Sequence, residues 1–62
     1  MNQSLIIKRR GTYTLEKNMS TKLYRIYNYA ESMCGMEWIP VTRQFITFRN
    51  VVRAWEKLTV NK

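Results

Sequence analysis

Arg49, Arg53 and Lys57 stand four residues apart, a spacing that on an α-helix aligns them in one row along a single flank. Cations in such a row cannot be buried unpaired, so they face water or an acidic partner. A second group, Lys8-Arg9-Arg10, is contiguous, and adjacent like charges repel until phosphates or carboxylates relieve them. The third group interleaves cations with rings: Lys22, Arg25, Tyr27 and Tyr29 share a segment that also holds Tyr24. Rings beside cations stack on nucleic-acid bases or anchor protein interfaces. Lys8, Arg9, Arg10, Lys22, Arg25, Tyr27, Tyr29, Arg49, Arg53 and Lys57 are therefore the candidate residues for binding nucleic acid or a protein partner. Each group also has a plainer role: the solvated face of a helix, a charged turn that guards an edge strand, and rings that cover a small core.

Adhesion, more than bond-making chemistry, is what this residue set offers. The 62-residue chain carries eleven Lys and Arg against four acidic residues, no His, and a net charge of +7. Without His there is no Ser-His-Asp triad, no Cys-His pair and no His-ligated metal. Cys34 is the single cysteine, which rules out an internal disulfide and a CxxC pair. Its nearest charges are Glu31 and Glu37, so nothing activates the thiol, and it reads as a small apolar filler beside Gly35. Those two glutamates can meet across a turn, but carboxylates without a pocket are not an acid–base couple. Gly11 and Gly35 are too isolated to cradle a phosphate. The expectation is a non-enzymatic protein without cofactor or metal. The longest aliphatic run, Leu5-Ile6-Ile7, falls far short of the roughly 20 residues of a membrane span. It also precedes its cations, the reverse of a signal-peptide core. A lone thiol and no secretory signal predict a cytoplasmic location, the host cytoplasm if the chain is virus-encoded.

These groups need elements to hold them. Residues 4–9 are extended in character, Arg10-Gly11 supplies a turn, and residues 12–16 alternate polar with apolar. That alternation points Tyr13 and Leu15 inward and Thr12, Thr14 and Glu16 outward. Asn18 and Ser20 mark a second turn. Residues 22–30 are dense in aromatic and β-branched side chains, which favours a strand. Leu23, Ile26, Tyr27 and Ala30 also fit helical spacing, with Ser20 as N-cap and Gly35 beyond the C-terminus. As a strand its faces are Leu23-Arg25-Tyr27-Tyr29 and Tyr24-Ile26-Asn28-Ala30; only one can meet a helix, so at least one Tyr stays exposed. Residues 32–35 form a loop and residues 37–43 a returning strand, with Ile39 and Val41 on one face; Pro40 puts it at an edge or a bulge. Phe48, Val51, Val52, Trp55 and Leu58 make an apolar helical stripe, with Thr47 as N-cap. Glu56 lies close enough on the helical wheel to neutralise one of Arg49 and Arg53. The expected fold is α+β, a small antiparallel β-sheet of three or four strands with one C-terminal α-helix packed on one face, a single small basic domain over residues 1–62. A hairpin followed by two helices is the alternative.

Two functional readings follow. In the first, clustered cations neutralise phosphates and the protein is a small basic nucleic-acid-binding module; no zinc-finger, helix-turn-helix or RNP signature is present. In the second, the chain is a bacteriophage or mobile-element inhibitor or adapter that binds a larger host protein at an acidic or nucleic-acid-binding site, with Tyr and Trp, Trp38 included, supplying affinity. A homodimer is compatible with both, because so small a core gains from sharing an apolar face. Attachment to an anionic membrane ranks below them, since the core needs the helix stripe.

Overall fold

In the computed structural model, which describes residues 3–60, the chain runs β1 (Ser4–Arg10), β2 (Tyr13–Asn18), β3 (Tyr24–Ser32), β4 (Gly35–Pro40) and α1 (Phe48–Thr59). The strands form one antiparallel sheet in the order β1-β2-β3-β4, and the helix lies across the two central strands, β2 and β3. The expected α+β architecture is present, with four strands.

The first hairpin closes on Gly11-Thr12, with Arg10 paired to Tyr13. Gly11 takes φ 61°, the positive value that lets a two-residue loop follow the twist of its strands. Lys8, Arg9 and Arg10 thus end β1 instead of forming the turn, and Thr12 belongs to the loop. A bulge at Ile7 separates the pairs Ile6–Glu16 and Lys8–Leu15, and Ile7 packs against the core. The next reversal is held by Asn18, whose side-chain oxygen accepts from the backbone N–H of Ser20 (2.8 Å) and Thr21 (3.1 Å). Lys22, at φ 63°, then turns the chain into β3. Helix geometry across this segment would have crowded the χ1 angles of three Tyr and an Ile against the preceding turn; as a strand they stand clear of one another. The strand begins at Tyr24, two residues later than the sequence suggested.

Three corrections concern β3, β4 and the loop between them. Ser32 pairs with Gly35, so Met33-Cys34 is a tight two-residue loop with no interior to fill, and Cys34 is exposed. Glu31 pairs with Met36 while Glu37 pairs with Ala30, which places the two glutamates on opposite faces of the sheet. β4 is also shorter than residues 37–43. Pro40 ends it at the sheet edge, as a residue lacking the ladder N–H should. Val41 still donates to the Ile26 carbonyl (3.0 Å), but Phe45, four residues on, exchanges hydrogen bonds with Tyr24, only two residues back (2.7 and 2.8 Å). Two extra residues therefore bulge from the edge before α1.

Thr47 occupies the N-cap position, yet its side chain makes no capping hydrogen bond. From the expected stripe, Val51 and Trp55 are buried, Val52 and Leu58 half-buried. Phe48 stays 43% exposed, resting its ring on Tyr24 at 5.4 Å between centroids. Leu15, Ile26, Val51 and Trp55 are the buried core, bordered by Ile7, Tyr13, Tyr24, Phe45, Val52, Ala54 and Leu58. One outward residue departs from expectation. Thr14 points away from the helix but is fully buried, because it is a short side chain set between Arg9 and Tyr27 on the neighbouring strands.

Candidate nucleic-acid interface

Strand alternation sorts the charged residues between the two faces. Leu15 and Ile26 face the helix, so their register neighbours Lys8, Arg10, Lys17 and Glu37 lie on the helix side. Arg10 borders a shallow hollow with Gly11, Tyr13 and, from the end of the helix, Leu58 and Thr59. Lys17 is held over the Tyr24 ring, 5.4 Å from its centroid. Along the helix, Arg49, Arg53 and Lys57 are all exposed. Among the described residues no Lys or Arg forms an ion pair with a Glu, so the expected neutralisation by Glu56 does not occur.

No described element covers the other face of the sheet. Arg9, Glu16, Arg25, Tyr27, Tyr29 and Glu31 lie on it, joined from β4 by Met36, Trp38 and Pro40 and from β1 by Ile6. Tyr29 and Trp38 are cross-strand partners whose rings tilt together at 4.9 Å between centroids. Glu16 and Arg25 are also cross-strand partners, but each is engaged elsewhere. The Glu16 carboxylate accepts the Thr14 hydroxyl at 2.8 Å, and Arg25 Nε donates to the Thr42 carbonyl at 3.1 Å. Among the described residues this face therefore carries two cations and two carboxylates. All of the excess positive charge of the described residues lies elsewhere, where eight Lys and Arg stand against Glu37 and Glu56.

The ten candidate residues thus do not form one patch. Arg49, Arg53, Lys57, Lys8 and Arg10 belong to the helix side. Arg9, Arg25, Tyr27 and Tyr29 belong to the opposite face, and Lys22 sits in the β2–β3 loop. Sequence reasoning left Met36 and Ile6 out of the set, although both are at least half exposed, at 54% and 50%. Period-two alternation from Trp38 reaches Met36 directly; Ile6 was obscured by the bulge that follows it. Comparison with known proteins finds no family model, no curated protein and no solved structure that matches this chain.

Proposed function

We propose that the protein is a non-enzymatic nucleic-acid-binding module that meets the phosphate backbone with its helix-bearing side. The observation that carries this reading is the exposed, unpaired row Arg49, Arg53 and Lys57 on the side that holds the excess charge. At 1.5 Å per residue the row spans about 12 Å, comparable to three or four base-pair steps of about 3.4 Å. Lys8 and Arg10 extend the same side beyond the row. Binding of this kind releases counterions from the polyanion and depends little on base sequence. Affinity for a mixed-sequence duplex should therefore fall linearly with the logarithm of salt concentration. Arg49→Ala, Arg53→Ala and Lys57→Ala should each reduce the log–log slope by about 0.9. Absence of binding to duplex and single strand alike at low salt would overturn the proposal. It would leave the basic side to an acidic protein surface, such as that of a host protein inhibited by a small mobile-element product.

A further inference from the structure

We propose that the helix-free face of the sheet is the contact surface for a second copy of this chain. Ile6, Tyr29, Met36 and Trp38 are 39–54% exposed there, and no described element lies over them. The charges choose among partners. Arg9 and Arg25 are balanced by Glu16 and Glu31, so the face offers no net attraction to a polyanion or an acidic protein. A two-fold contact, in contrast, brings a surface against itself and needs both signs on it. With two cations and two carboxylates, the Arg residues of one copy can be set against the Glu residues of the other.

The size of the face agrees with a modest association. Four strands about 4.8 Å apart and six to nine residues long give a footprint of about 440 Å² before side-chain relief is added. Stable interfaces bury about 800 Å² per partner, so the dimer belongs to the weak class and forms at micromolar or higher concentration. Two such sheets would pack face to face about 10 Å apart, with both helices outward. The inference is independent of nucleic-acid binding and is tested without nucleic acid.

Sedimentation equilibrium of nuclease-treated protein, from low-micromolar to near-millimolar concentration, should show a reversible monomer–dimer equilibrium. Trp38→Ser should raise the dimer dissociation constant by about 30-fold or more, as expected for an aromatic anchor. Glu31→Lys, an exposed surface change, should raise it several-fold by unbalancing the face. At 0.1 M salt, where repulsion between the net charges of the two copies is screened, Arg53→Ala, on the helix side, should leave it unchanged. Should Trp38→Ser fail to melt cooperatively, Glu31→Lys decides alone. A wild-type chain that stays monomeric throughout would overturn the proposal, as would a dimer indifferent to Glu31→Lys and to a folded Trp38→Ser. Quenching of Trp38 fluorescence in the monomer by an oligo(dT) probe would assign the face to single-stranded nucleic acid instead.

Discussion

Trp55 is 5% exposed and, among the described residues, is one of four that make the buried hydrophobic core. Truncating a buried Trp costs about 3–5 kcal/mol, while a chain of this length is stabilised by only about 3–9 kcal/mol in total. Trp55→Ala is therefore expected to abolish the cooperative melt, or to leave it barely above room temperature, when followed by circular dichroism. Retention of the wild-type melting temperature would mean that the ring is not in the core. Trp55 was legible in the sequence because its helical neighbours repeat at the spacing of one apolar face. Thr14 was not. Alternation correctly turned it away from Leu15, but its burial depends on the length of Arg9 and Tyr27 beside it, and those neighbours are known only once the register is known. Cys34 shows the same limit in reverse: its burial habit as a residue type is overridden by a loop too short to have an inside.

The elements themselves were legible where a single residue dictates geometry. Gly11 permits the loop that closes the first hairpin, Pro40 ends β4 at an edge, and the spacing from Val51 to Leu58 outlines the buried side of α1. What the sequence did not reveal was the size and place of the two-residue slip between Val41 and Phe45, since Pro40 signals an edge or a bulge without fixing which residues leave the ladder. The helix also carries a local conflict. Its first turn contains no acidic residue and places Arg49 at the second helical position, where the partial positive charge of the N-terminus opposes a cation by about 0.3–1 kcal/mol. A residue chosen only for the helix would be Glu or Asp. Arg49→Glu is therefore expected to raise the melting temperature by about 2–8 °C while weakening duplex binding more than Arg49→Ala does. Stabilisation without loss of binding would show that Arg49 does not meet phosphate. Destabilisation would show that its side chain has a partner within the fold.

For the molecule as a whole, charge segregation has opposite consequences on its two sides. Each copy carries +7, and back-to-back packing sets the two charge distributions about 30 Å apart. Unscreened in water, that repulsion is about 7 kcal/mol. At 0.01 M salt, with a Debye length of about 30 Å, about 2–3 kcal/mol remains; at 0.1 M, with a length of about 10 Å, only a few tenths. Because the contact face itself is neutral, little attraction is screened away in exchange. Dimerisation should thus tighten by about thirtyfold between these two salt concentrations. Nucleic-acid binding should move the other way, losing about four decades if four or five phosphates are neutralised. Measured side by side on nuclease-treated protein, the two salt dependences should have opposite signs. Dimerisation that weakens with salt would mean that cross-copy ion pairs, and not the apolar residues around Trp38, dominate the contact. Binding to duplex that is indifferent to salt would remove the phosphate backbone as the ligand of the helix side.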